Sequence, residues 1–148
     1  MITIGDFDDE FNSLKAIYPH DSYEYDGSQS FTSRTTAHFA ASGSRDKYGV
    51  YVIRQKSSGE IRYIGKGGTL NASGQFRGQD IPGRLKNVKG NDIPAHRWFA
   101  DLLAENGPLS IEYLLLQATP ASPALVESLL LQAYLNTHRR LPQKNNSF

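Results

Sequence analysis

Five side chains of this 148-residue chain have types suited to handling a phosphate: Tyr51, Tyr63, Lys66, Arg84 and Glu127. Arg84 offers a planar, permanently charged fork that matches non-bridging phosphate oxygens. Glu127 sits among Leu125, Val126, Leu129 and Leu130, an apolar helical setting in which an unpaired carboxylate is costly. A divalent cation would relieve that cost, because one Glu with waters and a phosphate oxygen is an ordinary Mg²⁺ site. A salt bridge to Arg84 or Lys66 would also relieve it, as would a helix rotated to turn Glu127 toward water. The phenols ionise at about 10 when unperturbed, too high for a base at neutral pH. A neighbouring ammonium lowers such a value, and Lys66, three residues past Tyr63, is the candidate.

Converging these residues requires particular elements. Residues 48–54, YGVYVIR, are aromatic and β-branched and read as a strand; Lys56-Ser57-Ser58-Gly59 is a turn; residues 60–64, EIRYI, read as a second strand. Strict alternation puts Ile61 and Tyr63 on one side of it and Arg62 and Ile64 on the other. Facing strands can then bring the two phenols to one side of a sheet, although such Tyr pairs also serve as plain packing. Gly65-Lys66-Gly67-Gly68, expected to end the strand, lacks P-loop spacing. Residues 69–80 are polar, and 81–85 lead into a short helix or turn carrying Arg84, Lys86 and Lys89. Residues 94–105 form an amphipathic helix, 109–117 a third strand, and Ser122-Pro123 opens a helix to about Asn136, with Leu125, Val126, Leu129, Leu130, Ala133 and Tyr134 inward. Upstream, Phe7, Phe11, Leu14 and Tyr18 mark a helix closed by Pro19, and residues 21–47 read as an irregular arm or short strands. The expected fold is α+β, a small three-stranded antiparallel sheet flanked by helices, with residues 1–47 as an N-terminal extension to a domain at 48–148.

Charge is unevenly spread. Residues 1–47 hold eight acids and four bases (net −4), residues 48–97 three acids and nine bases (net +6), and residues 98–148 four acids and three bases (net −1). A phosphate-bearing partner would account for the basic middle block, as would neutralisation by the acidic N-terminal segment in space. The absence of cysteine excludes disulfides, thiolate metal sites and a cysteine nucleophile. His20, His38, His96 and His138 lack metal-ligand spacing and read as surface or capping residues. No apolar run is long enough for a membrane span, and the acidic start shows no signal peptide, so a cytoplasmic protein is expected.

Gly49-Val50-Tyr51, a spacer and Tyr63-Ile64-Gly65-Lys66 resemble the signature of the GIY-YIG nuclease superfamily, with Val in a commonly varied position. Arg84 in Gly83-Arg84-Leu85, Glu127 in a later apolar helix and Asn145 behind Pro142 are similar to the family's further motifs. The resemblance covers about residues 48–146. It implies a catalytic set of Tyr51, Tyr63, Lys66, Arg84, Glu127 and Asn145, with Glu127 as ligand to Mg²⁺ or Mn²⁺. The family comparison favours Tyr51 as the group that activates water and Tyr63 as the one that orders water or phosphate, while either phenol fits the first role. Many relatives carry His or Tyr four residues after the Arg; Val88 stands there, and Lys66 is expected to substitute. The long segment 68–82 looks more like restriction-type or phage- and defence-associated members than repair-type ones.

The function this implies is a divalent-metal-dependent DNA endonuclease that leaves a 5′-phosphate and a 3′-hydroxyl. Its groove would be lined by Arg62, Lys66, Arg77, Arg84, Lys86 and Lys89, making binding salt-dependent. Gln75, Arg77 and Gln79 are types that read base edges, or else belong to a polar loop with no readout. Cutting both strands with one site per chain calls for a homodimer or sequential nicks. Other readings are a non-catalytic module that binds nucleic acid or protein on a nuclease fold, and a toxin held by an inhibitor or immunity protein. DNA and RNA both remain open as substrate.

Overall fold

Strand β2 (Gly49–Gln55) is the centre of the molecule, and its first five residues are buried. Successive side chains point to opposite faces, so Val50 and Val52 enter one apolar cluster while Tyr51 and Ile53 enter another. The computed structural model describes residues 3–41, 46–87, 89 and 92–146. Val88 lies outside the described residues.

β2 is flanked by β3 (Ile61–Gly67) and β6 (Leu109–Leu115), and β1 (His20–Tyr25) pairs on the far side of β6. The result is an α+β fold with a four-stranded antiparallel sheet of order β1-β6-β2-β3. One face is covered by α1 (Phe7–Ile17) and α5 (Pro123–His138), through Phe7, Phe11, Val126, Leu130 and Tyr134. The other is covered by α2 (Phe31–Ala41), α3 (Ile81–Leu85) and α4 (Ala95–Asn106), through Phe31, Phe39, Ile81, Leu85, Phe99 and Leu102. No described helix is long and apolar enough to cross a membrane.

The sheet therefore has one strand more than expected, and residues 20–41 are an ordered strand and helix sharing its core. β1 is an edge strand, HDSYEY, in which only Tyr23 and Tyr25 are buried; two apolar residues give a weak period-two signal. In α2 the inward positions are Phe31, Thr35 and Phe39. The polar middle residue hides the helical period, and its hydroxyl is satisfied by the Tyr23 phenol at 2.8 Å. His38, expected at the surface, is stacked on Tyr23 at 4.5 Å and hydrogen-bonded to the Tyr113 phenol at 2.8 Å.

β3 continues through Gly67, and it does not alternate strictly. Ile53 faces Tyr63 but Arg54 faces Ile61, which leaves Arg62 as the extra residue of a bulge. The bulge puts Ile61 and Ile64 on the α1/α5 side and Tyr63 on the opposite side with Tyr51. The polar stretch after β3 is itself structured, as a small ribbon of β4 (Thr69–Leu70) and β5 (Phe76–Arg77). In α5 the expected inward face holds, except that Leu125 is 66% exposed and Leu129 is only partly buried. Beyond α5 the tail lies along the edge of β3: the Lys144 amide donates to the Arg62 carbonyl at 2.9 Å.

Candidate active site

The residue facing Tyr51 across the β2–β3 ladder is Gly65. A Cβ there would sit 2.6 Å from the Tyr51 phenol oxygen and 2.7 Å from the Tyr63 ring, so only glycine leaves room for both rings. The rings are 6.0 Å apart and tilted by 36°, close enough for each phenol to bear on the ionisation of the other. Trp98 of α4 packs edge-on against Tyr63 at 5.5 Å. Tyr51 is 1% exposed and lies behind Tyr63; Tyr63 is the phenol that reaches solvent, in a cleft of about 270 Å³.

Lys66 from β3, Arg84 from α3 and Glu127 from α5 line that cleft with Tyr63. Thr69, Gly78 and Gln79 at the base of the ribbon complete it. The ribbon is anchored by Tyr48, whose ring stacks on Phe76 at 5.4 Å, and its turn is ordered by Asn71, whose side-chain oxygen accepts from Ser73 and Gln75 amides. Four of the six residues expected to be catalytic thus converge from three elements.

Electrostatics differ from expectation at the phenols. Burial pushes Tyr51 well above its ordinary range, and the neighbouring Tyr63 adds to this more than Arg84 relieves. Tyr63 is also raised, first by burial and then by the Glu127 carboxylate, against the relief of Arg84 and of the neighbouring Tyr51. Lys66 does not lower either phenol. It acts on Glu127, whose carboxyl is raised by burial and lowered in part by Lys66 and Arg84.

Asn145 is outside the cleft. Its side-chain oxygen accepts from the Ile64 amide at 2.9 Å and its amide donates to the Ile64 carbonyl at 2.8 Å. It ties the tail to β3 between Tyr63 and Gly65.

The six expected phosphate-binding cations separate. Lys66 and Arg84 are in the cleft; Arg77 is exposed on β5 beside it, bonded to Gln75. Lys86 is exposed and reaches Thr36 of α2 at 3.2 Å. Arg62 is committed elsewhere: the bulge turns it away, and its guanidinium meets Glu60 at 3.1 Å and Gln55 at 3.0 Å. Lys89 is 9% exposed, with its ammonium on backbone carbonyls rather than in a groove. Missed at the sequence level were Trp98 and Asp80, the latter the N-cap of α3; an Asp two residues before Pro82 was the available signal.

Glu127 fits a hard divalent cation in one respect. It is a half-buried carboxylate that, among the described residues, no hydrogen bond or salt bridge engages. Among the described residues no cluster of three His, Cys, Asp or Glu exists, so remaining ligands would be waters and a substrate phosphate. No family model, curated protein or solved structure matches the chain.

Proposed function

We propose that this chain is a divalent-metal-dependent endonuclease that hydrolyses DNA phosphodiester bonds, on a β-hairpin site of the GIY-YIG type. The single observation that carries the reading is the convergence of Tyr63, Lys66, Arg84 and Glu127 on one cleft, from β3, α3 and α5. Hydrolysis of a phosphodiester needs an activated water and neutralised charge on the phosphate. Arg84 meets the non-bridging oxygens as a fork, and Lys66 adds a point charge that also faces Glu127. Glu127 would hold Mg²⁺ or Mn²⁺, which when bound supplies Lewis-acid stabilisation of the phosphate.

Tyr63 orders the attacking water. It lines the cleft, and a phenol both donates and accepts, so it can hold a water there. Tyr51 aligns Tyr63 from behind. The ribbon of β4 and β5 forms one wall, where Gln75, Arg77 and Gln79 could meet a groove of the duplex; a two-stranded ribbon is narrow enough to enter the major groove.

A non-catalytic nucleic-acid-binding module on the same fold is the second reading, and the upward shift of both phenols favours it. Incubation with supercoiled plasmid and Mg²⁺ or Mn²⁺ separates the two. Nicking that disappears in Glu127→Ala and Arg84→Ala, with circular dichroism unchanged, supports the nuclease. Retardation of DNA with no nicking under any divalent metal leaves the binding module.

A further inference from the structure

We propose that Lys89 is a positioning residue of the cleft: its ammonium locks the carboxyl-terminal end of α3 and thereby fixes the backbone from which Arg84 reaches the cleft. The proposal rests on the hydrolytic reading of the cleft and adds to it the device that aims its arginine.

Helix α3 has five residues, too few to hold itself together in water. Its conformation is imposed from outside. Ile81 and Leu85 are fully buried anchors. At the start, the Asp80 carboxylate accepts from the Gly83 and Lys47 amides, both at 3.1 Å, and the Ile81 amide donates to the Lys47 carbonyl at 2.8 Å. The backbone of Gly67 lies against the same turn so closely that no Cβ fits between them.

At the other end, where a helix presents unpaired carbonyls, the partner is Lys89. Its Nζ donates to the carbonyls of Arg84 at 2.7 Å, Leu85 at 3.2 Å and Asn87 at 3.2 Å. Three protons meet three acceptors, and the positive charge stands at the negative end of the helix. Lys89 is itself fixed, since its amide donates to the Ile93 carbonyl at 2.8 Å, and α4 presents the Phe99 ring 5.8 Å from the ammonium. From α3 the charge acting on it is Arg84; α2 meets α3 through Thr36, which takes the ammonium of Lys86. The shortest of the three bonds is to the carbonyl of Arg84, which the Asn87 amide reaches only at 3.3 Å, so release of Lys89 loosens the backbone that carries the guanidinium.

The lock depends on the proton. Burial, and then Arg84, bring Lys89 down to about 8. Above that pH the amine has two hydrogens and no charge, and the end of α3 loosens.

The chain has no cysteine, so Lys89→Cys can be alkylated at a single thiol with bromoethylamine in denaturant and refolded, restoring an amine of lower basicity. On supercoiled plasmid, Lys89→Met is expected to lower kcat by about 10²-fold, the scale of a small misplacement, with KM little changed. Wild-type turnover should fall above about pH 8, the aminoethylated protein should recover activity with that limb moved to lower pH, and Lys89→Met should lack it. The Arg84 Nε–H resonance in a ¹⁵N spectrum gives a readout that needs no turnover. It should titrate with Lys89 in the wild type and stay fixed in Lys89→Met. Wild-type kcat in Lys89→Met, or an Arg84 resonance indifferent to Lys89, overturns the proposal. An Arg84 resonance that follows Lys89 in a protein that never nicks supports the lock and removes only the hydrolytic reading.

Discussion

The phenol of Tyr51 lies over the α-carbon of Gly65, its partner in register on β3, at a distance that leaves no space for a methyl group. Gly65→Ala would force both phenols aside, since its Cβ would collide with Tyr51 and Tyr63 alike. Overpacking of this kind costs about 1–3 kcal/mol. A lowered midpoint in urea together with loss of nicking is expected. Unchanged stability would mean that the two rings can move freely, and the preorganisation attributed to them would be absent.

The order of the two phenols leads to a graded outcome. Tyr63 lines the cleft and Tyr51 stands buried behind it. On the proposed hydrolytic reading Tyr63→Phe removes a group that would face the scissile phosphate, and a fall of about 10²–10³ in single-turnover rate is expected. Tyr51→Phe removes a hydroxyl that does not line the cleft, and a fall of roughly tenfold or less, about 1 kcal/mol, is expected. An equal or greater loss in Tyr51→Phe would return the activation of water to Tyr51.

Asn145 makes paired hydrogen bonds with the backbone of Ile64 on the sheet's edge. Asn145→Ala leaves the amide and the carbonyl of buried Ile64 without these partners, and a loss of stability of about 1–3 kcal/mol is expected. The local effect should be larger. Hydrogen exchange at the Ile64 amide is expected to accelerate well beyond the global change, and nicking to fall with KM unchanged. If that amide stays protected, the tail holds the edge by other contacts.

Much of the positioning framework was readable because its patterns are local. The β2–β3 hairpin, α4, β6 and α5 each announce themselves by period and by turn or cap residues, whereas the four cleft residues stood out through their chemical types and the resemblance of their motifs. What escaped was non-local or masked. Thr35 interrupts the apolar face of α2, and its place in the core is intelligible only beside Tyr23. The bulge at Arg62 reverses the sides of Ile61 and Tyr63, and nothing in EIRYI marks the extra residue. Lys89 reads as one more base in a basic block until the carbonyls of α3 are seen around it. The direction of the phenols' shift depends on depth, which no spacing encodes.

The strongest pH test lies with Glu127. Its carboxyl is raised in the folded chain because burial outweighs the help of Lys66 and Arg84. A raised acid favours the protonated form of the fold. Its stabilising contribution is therefore complete below the unfolded value of about 4.3 and is lost as pH rises through the folded value. At pH 7 the ionised group is a net cost, which Glu127→Gln should remove. Thermal unfolding is expected to show the variant more stable than wild type at pH 7, with the gain shrinking toward zero below about pH 4. Nicking should be lost in the same variant, since Gln is a poor ligand for a hard cation. A variant less stable at pH 7 than wild type would instead make Glu127 the counter-ion of Lys66 and Arg84, a structural pair, and would leave the cleft without its proposed metal ligand.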